Sequence, residues 1–209
     1  MQWKSRAAAL CAAMVVACTA TAGRLDADFE RQQPSPDARE VAQWVGETDD
    51  AAGRPYLIVD KKAARLFVFE GSGRLLAATP VLLGSALGDD SMPGVGERAQ
   101  TGELTAEDRT TPAGRYLTQP GRNLDGERVV WLDYGAALAL HRLRPGRGHQ
   151  VRSARLESSQ PHERRVSLGC VVVPTAFYLD VIEPLLGSRR GVVYVLPETQ
   201  PARELFLQL

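Results

Sequence analysis

The sequence predicts a mainly β protein, a sandwich or barrel of short strands with few helices. Short runs rich in β-branched and aromatic residues recur along the chain and are separated by turns that contain glycine. Only two stretches carry the three-to-four-residue apolar spacing of an amphipathic helix. With 209 residues, of which 44% are hydrophobic, the chain is long enough to bury a core in one medium domain or two small ones.

The charge balance and the hydropathy pattern exclude two classes of protein. Basic and acidic residues number 25 each, whereas a general nucleic-acid binder usually carries a positive excess. After the N-terminal segment no run reaches the roughly 18 apolar residues that a membrane span needs.

Residues 1–22 are typical of a secretory signal peptide and lie outside the predicted fold. Two basic residues precede an apolar run over residues 7–17, and small residues up to Ala22 form a cleavage site. The sequence Val-Val-Ala-Cys at 15–18 resembles a bacterial lipobox, so lipidation of Cys18 is the alternative to cleavage after Ala22. In both cases we expect an exported protein, located in the periplasm or cell wall or anchored to the membrane as a lipoprotein.

Two helices are predicted, one near each end of the chain. Ser35 is a suitable N-cap and Pro36 a suitable first residue, and Val41, Trp44 and Val45 then share one face. The later helix begins near residue 175 and places four apolar side chains on one side, those of Phe177, Val181, Ile182 and Leu185.

The strands follow from the apolar runs. Residues 56–59 and 65–69 are predicted strands, and a glycine loop at 71–73 joins the second of them to the run at 74–83 as a hairpin. An Asp-Gly pair at 125–126 marks another turn. The remaining strands are predicted at 114–118, 128–133, 136–141 and 192–196.

Two segments interrupt this pattern. Residues 84–109 are rich in glycine and form a long connection, in which 94–99 formally match a dinucleotide fingerprint. No strand runs into that match and no βαβ unit surrounds it, so we expect no cofactor there. Residues 142–165 hold seven arginines against Glu157 and Glu163, a local formal charge of +5. This segment is either a solvated surface loop or a lid that attracts carboxylates.

Cys170 is the candidate nucleophile and His141 the candidate base. Removal of residues 1–22 leaves Cys170 as the one thiol, and an odd thiol in an exported chain is either buried and inert or kept for its reactivity. A thiol reacts as thiolate and so needs a nearby base or positive potential. Of the three histidines, His149 and His162 fall in the arginine-rich segment, whereas His141 ends an apolar strand that can hold its ring. The residues alone leave open a buried core cysteine and a plain strand-end histidine.

The residues just before Cys170 suit a catalytic loop. Gly169 permits a sharp turn or a close approach of the backbone. The amides of Leu168, Gly169 and Cys170 are candidate donors of an oxyanion hole. Ser167 is placed to donate a hydrogen bond to the loop or to a substrate. The three valines that follow equally favour a buried strand.

The Ser-x-Gly-Cys motif that ends at Cys170, preceded by a strand-end histidine, resembles the catalytic signature of the L,D-transpeptidase (YkuD-type) family. Other segments resemble further parts of that family's domain over residues 54–197. They are the opening hairpin at 56–69, a Thr-Pro-x-Gly segment at 110–116, the approach to the histidine at 131–142, and the domain's end at 173–178 and 193–197.

The resemblance implies a mainly β, L,D-transpeptidase-like sandwich or barrel with a short N-terminal helix and one helix after the cysteine. It divides the chain into an N-terminal segment at 23–53, a catalytic domain at 54–197 and a C-terminal tail at 198–209. It implies a cysteine acyltransferase of peptidoglycan synthesis, cell-wall biogenesis and cell shape. Cys170 would attack the bond before the terminal D-alanine of a stem tetrapeptide, and His141 would accept the thiol proton.

The implied partners are peptidoglycan stem peptides, with an amine on a second stem or on a wall-anchored protein as acceptor. No metal and no organic cofactor is required. Two other functions stay open: an L,D-carboxypeptidase or amidase that resolves the same acyl-enzyme with water, and a wall-binding module that has lost turnover.

The chain departs from the family pattern at three places. Arginine or asparagine is usual two residues after the cysteine, where this chain has Val172, and histidine or tyrosine is frequent two residues before it, where it has Leu168. The 29-residue spacing between base and nucleophile is also long, because the arginine-rich segment lies between them. If that segment is a lid, the candidate carboxylate-binding residues are Arg142, Arg152, Arg155 and Arg164.

Overall fold

A computed structural model describes residue 29 and residues 32–207 of the chain. The predicted signal peptide at 1–22 and its lipidation alternative at Cys18 lie outside the described residues. Across the described residues, no helix combines the length and the hydropathy needed to cross a membrane.

Short strands dominate this part of the chain, and helices separate some of them. The strands are β1 (Tyr56–Asp60), β2 (Arg65–Phe69), β3 (Leu75–Pro80), β4 (Leu83–Gly84), β5 (Gly114–Leu117), β6 (Gln119–Arg122), β7 (Arg128–Asp133), β8 (Leu138–Arg142), β9 (Arg165–Ser167), β10 (Val171–Val173) and β11 (Val192–Val195). The α-helices are α1 (Pro36–Thr48), α2 (Val95–Thr101), α3 (His149–Glu157), α4 (Thr175–Phe177), α5 (Glu183–Leu186) and α6 (Ala202–Phe206), with a π-helical turn at Tyr178–Ile182 and 3₁₀ turns at Glu107–Arg109 and Pro161–Arg164.

Two larger sheets and one short strand pair organise the chain, so the predicted mainly β sandwich is confirmed. One sheet has the order β3-β2-β1-β11-β5 and the other the order β10-β8-β7-β6. Most neighbours are antiparallel, but β1 with β11, β8 with β10 and β4 with β9 run parallel.

The main core lies between the two larger sheets. Alternate residues of the five-stranded sheet, such as Leu57 and Val193, meet alternate residues of the four-stranded sheet, such as Leu140 and Val171. The helix that follows the cysteine closes this core with Tyr178 and other buried residues. Because successive side chains of a strand point to opposite faces, this packing fixes which residues of β8 and β10 face away from the core.

A second core covers the outer face of the five-stranded sheet. There α1 and α6 pack against the other alternate residues of the strands, among them Ile58, Phe67 and Tyr194. Ser35 caps α1 by accepting a hydrogen bond from the amide of Ala38, as predicted. Burial on both faces explains why β1 and β11 read as continuous apolar runs rather than as alternating ones.

Several elements differ from the sequence prediction, among them the following three. The strand predicted at 136–141 begins at Leu138, because residues 134–137 form a turn in which Ala137 has φ +54°. The arginine-rich segment at 142–165 is not a structureless loop, since it contains α3 and a 3₁₀ turn. Residues 198–209, predicted as a tail, include α6, whose Ala202 and Phe206 are buried.

Replacement of Phe206 by alanine should lower the free energy of unfolding by about 3–5 kcal/mol, the usual cost of deleting a buried aromatic ring. The ring is 1% exposed and contacts Tyr194 edge-on at 5.8 Å between centroids. Denaturant unfolding of the parent and the variant measures the change. Val151→Ala, at a side chain that is 64% exposed, is the matched control and should stay within about 0.5 kcal/mol. Equal stability of the two variants would show that α6 does not belong to the cooperative unit.

Candidate active site

The two candidate catalytic residues lie on neighbouring parallel strands. Val172 is paired with His141 and Val171 with Leu140, so Cys170 directly precedes the pairing. Leu140 and Val171 point into the main core, which leaves His141 and Cys170 for the opposite face. Both line one cleft of about 420 Å³. The structure therefore brings together the thiol and the imidazole that the sequence singled out.

A tight turn presents the thiol. The Ser167 hydroxyl donates to the Cys170 carbonyl at 2.7 Å and accepts from the Gly169 amide at 3.1 Å. Gly169 has φ +123°, and a Cβ there would come within 2.9 Å of the Thr110 carbonyl oxygen. Glycine is thus required at 169 both by the backbone conformation and by the neighbouring chain. Because the Gly169 amide already donates to Ser167, the candidate oxyanion donors reduce to the amides of Leu168 and Cys170.

Backbone groups of the β7–β8 turn surround the sulfur. The Cys170 Sγ lies 3.5 Å from the carbonyl oxygen of Ala137, the residue with φ +54°. Burial raises the pKa of the Cys170 thiol, and a hydrogen bond from the Ala139 backbone and the nearby charge of Arg144 oppose that rise only in part. The resting sulfur therefore carries its proton at neutral pH.

His141 is also neutral, and its tautomer follows from a single contact. Its Nδ1 lies 2.8 Å from the carbonyl oxygen of Arg142. A carbonyl can only accept, so Nδ1 carries the hydrogen and Nε2 has the free lone pair. Burial lowers the pKa of His141 to about 4, aided by Arg144 and Arg142 and opposed by that carbonyl and by Glu127. At rest the cleft thus holds a neutral thiol and a neutral imidazole, not a thiolate and an imidazolium.

One wall of the cleft comes from the long connection at 84–109. Helix α2 and the residues around it contribute Val95, Leu104 and Asp108. Arg98 holds this wall together through two hydrogen bonds to the Asp108 carboxylate, of which the Nε–Oδ2 bond is 2.8 Å. These bonds, with the Thr105 amide, bring the pKa of Asp108 well below its usual range.

Helix α2 meets the β7–β8 turn through two glycines. A Cβ on Gly96 would lie 1.8 Å from the carbonyl oxygen of Gly135, so the two backbones are in direct contact. The same turn ends at Ala137, whose carbonyl faces the sulfur. The α2 wall and the support of the thiol are consequently parts of one packed unit.

The mouth of the cleft is largely apolar. Leu124, Tyr134 and Leu168 are 90%, 72% and 59% exposed and line the cleft, and Trp131 packs edge-on against Tyr134 at 5.0 Å. Two arginines, Arg122 and Arg144, line it as well. Of these residues only Leu168 was a candidate site residue in the sequence, because the proximity of the others depends on the β6–β7 and β7–β8 turns.

The four arginines predicted to bind carboxylates do not line the cleft. Arg164 is 8% exposed, and its guanidinium donates to the carbonyls of Ser158, Ala63 and Ala64, so it fastens the segment to the β1–β2 turn. The other three are engaged nearby. Arg142 pairs with Glu127 at 2.5 Å, Arg152 donates to the carbonyls of Arg144 and Arg147, and Arg155 lies 3.8 Å from Glu163.

The valine at position 172 has a packing explanation. Val172 is 6% exposed and forms a small apolar cluster with Leu82, Leu143 and Leu156. Leu143 and Leu156 belong to the segment at 142–165, so this segment covers the Val172 side chain. A guanidinium at 172 would be buried among leucines without a partner, at a cost of several kcal/mol.

Comparisons with known proteins give a likeness of fold. No family model matches the sequence, and no curated protein matches it either. Six of the solved structures that match are L,D-transpeptidases. The catalytic domain from Enterococcus faecium shares 16% identity at a TM-score of 0.38, and the match covers 69% of this chain and 98% of that one.

Two further neighbours are similar to the same extent. The L,D-transpeptidase from Mycobacterium smegmatis gives 15% identity and a TM-score of 0.37 over 68% of this chain and 58% of that one. The L,D-transpeptidase from Xylanimonas cellulosilytica gives 14% identity and a TM-score of 0.40, and the match covers 75% of this chain and 68% of that one. The chain spans about half to three fifths of the length of the longer neighbours. These proteins are what the chain is similar to, and the roles of its residues are argued from the geometry above.

Alkylation of Cys170 by iodoacetamide should be slow at neutral pH and rise through a midpoint above the ordinary thiol pKa of about 8.5. Only the thiolate reacts, and burial raises the pKa of this thiol. Rate constants from pH 5 to 11, read by mass spectrometry of the peptide that contains Cys170, measure the profile. His141→Gln should leave the midpoint nearly unchanged, because a neutral imidazole contributes no charge. A plateau of reactivity between pH 5 and 8 would instead indicate a thiolate–imidazolium pair.

Proposed function

We propose that this protein is an L,D-transpeptidase that acts on peptidoglycan stem peptides through a cysteine acyl-enzyme. The observation that carries the proposal is the common cleft of Cys170 and His141, in which the imidazole has an accepting Nε2. The neutral pair supports a mechanism in which the proton leaves sulfur as the bond to carbon forms. A resting ion pair is not needed for this chemistry.

The first half of the reaction forms the acyl-enzyme. The Cys170 sulfur attacks the carbonyl carbon that precedes the terminal D-alanine, and His141 Nε2 takes the thiol proton. The amides of Leu168 and Cys170 are the candidate donors to the developing oxyanion. When the tetrahedral species collapses, the C–N bond breaks and His141 returns the proton to the departing D-alanine amine. The product is a thioester on Cys170.

In the second half an amine attacks the thioester and restores the thiol. The acceptor is an amine of a second stem or of a wall-anchored protein, and its proton passes to His141 and then to sulfur. Leu124, Tyr134 and Leu168 form an apolar mouth that the acceptor stem can contact beside the thioester. Arg122 and Arg144 line the cleft, so they are better placed to meet carboxylates of the stems than the four arginines predicted from the sequence, which do not line it.

Hydrolysis is the second candidate. The cleft is open enough at its mouth for leucine and tyrosine side chains to be more than half exposed, so water reaches the rim. Incubation of the purified protein with disaccharide tetrapeptides, followed by mass spectrometry, separates the candidates. Cross-linked or amine-exchanged products support transfer, and tripeptide products alone indicate a carboxypeptidase. An absence of any acyl-enzyme mass after incubation with a carbapenem would favour a wall-binding module without turnover.

Replacement of Cys170 by serine or alanine should abolish turnover and leave the melting temperature close to that of the parent. A hydroxyl is far less acidic than a thiol, so a weakly basic imidazole does not activate it. Activity and thermal unfolding are measured on the same samples. Turnover retained in both variants would contradict the assignment of the nucleophile.

Replacement of His141 by alanine should slow acylation by roughly 10²-fold or more, the usual range of general-base catalysis. His149→Ala and His162→Ala are the matched controls and should lose little, since neither ring lines the cleft. Stopped-flow or mass-resolved acylation by a carbapenem gives the rate. If His162→Ala is the inactive variant, the base comes from the insertion and the proposal for His141 is wrong.

A further inference from the structure

Four charged side chains from distant parts of the chain meet close to the Cys170 loop. They form the buried ion cluster, whose members are Lys61, Asp89, Arg165 and Glu198. The Lys61 side chain is fully buried, and its Nζ lies 2.6 Å from Asp89 Oδ1, 2.6 Å from the Gly88 carbonyl and 2.9 Å from the Thr111 carbonyl. Three loops thus converge on one ammonium group.

Arg165 completes the cluster from the strand that leads to the nucleophile. It binds Glu198 through both nitrogens at 2.8 and 3.0 Å, and it donates to the carbonyls of Gly84 and Ala86 at 2.7 and 2.8 Å. Two cations face two carboxylates, so the cluster is neutral as a whole. Burial disfavours the charge of Asp89, but hydrogen bonds from Lys61, Thr199 and the Glu198 amide bring its pKa to about 2.

Thr111 connects this cluster to the Cys170 loop. Its carbonyl accepts from Lys61, whereas its hydroxyl donates to the Gly169 carbonyl at 2.7 Å and accepts from the Gly84 amide at 2.8 Å. The residue is fully buried. A Cβ on Gly169 would lie 2.9 Å from the Thr110 carbonyl oxygen, so the Cys170 loop also packs closely against the backbone just before Thr111. Two hydrogen bonds therefore join the Lys61 ammonium to the residue next to the nucleophile.

We infer that the buried ion cluster positions the Cys170 thiol through Thr111, which makes Lys61 and Thr111 positioning residues of the reaction proposed above. A contribution to stability alone does not account for the arrangement, because well-packed apolar residues replace buried ion pairs with little loss or even a gain. Apolar side chains cannot supply the directional bonds that fix three loops relative to Gly169. The expected change in kcat rests on the proposed function. The expected change in the pH dependence of Cys170 alkylation rests on the geometry alone.

The test compares paired variants. Thr111→Val removes the hydroxyl, and Thr111→Ser retains it. Lys61→Met removes the buried charge, and its control Lys62→Met removes the exposed charge of the neighbouring residue. Thr111→Val and Lys61→Met should lower the pH midpoint of Cys170 alkylation, because a displaced loop hydrates the thiol and burial no longer raises its pKa. Their kcat on stem peptides should fall roughly 10- to 100-fold with little change in KM. Thr111→Ser and Lys62→Met should keep the parent's midpoint and kcat.

Each outcome decides the matter. If Thr111→Val and Lys61→Met are folded by circular dichroism and keep the parent's midpoint and kcat, the cluster is only structural and the inference is wrong. If Lys61→Met fails to fold, Thr111→Val decides alone, since it leaves all four charges in place. If the parent turns over no stem peptide, the proposed function fails, and the alkylation midpoints still show whether the cluster positions the thiol.

Discussion

The parallel pairing of β8 with β10 is the contact on which the candidate site depends. It joins His141 to Val172 across residues that are distant in the sequence, and it sets Cys170 beside the imidazole. Parallel neighbours cannot be connected by a tight turn, so the intervening chain must return to the starting end of the sheet. The segment at 142–165 makes that return with α3 and a 3₁₀ turn. Its two ends supply the Arg142 carbonyl that orients the base and the strand that leads to Ser167.

The parts of the fold that were predictable are those whose apolar pattern matches their burial. Strands β1 and β2 lie between two cores and are apolar except for Asp60 and Arg65 at their ends, so their runs stand out in the sequence. Strand β6 was missed because it is an edge strand of sequence Gln-Pro-Gly-Arg, which has the composition of a turn. Helix α3 was missed because a single buried residue, Leu156, anchors it, and one apolar side chain produces no periodicity.

The candidate site was predictable in its reactive groups but not in their surroundings. The reactive groups could be recognised from residue type and position alone: a lone thiol, a glycine before it and a histidine at a strand end. The protonation states depend on burial, which depends on the packing of segments far apart in the chain. The same holds for Arg164, whose partners at 63 and 64 lie a hundred residues away. The local charge of +5 suggested attraction of carboxylates, but the tertiary contacts show that several of these arginines already bind groups of the chain itself.

The contact between Gly96 and Gly135 has a geometric consequence for the cleft. Helix α2 approaches the β7–β8 turn until backbone touches backbone, and no side chain separates the two. The distance between the α2 wall and the sulfur accordingly depends on the absence of a side chain at Gly96, where a Cβ would lie 1.8 Å from the Gly135 carbonyl oxygen. Any side chain at 96 would act as a spacer, moving the helix outward and widening the aperture above Cys170. The width of the aperture therefore depends on Gly96, a residue that takes no part in the proposed reaction.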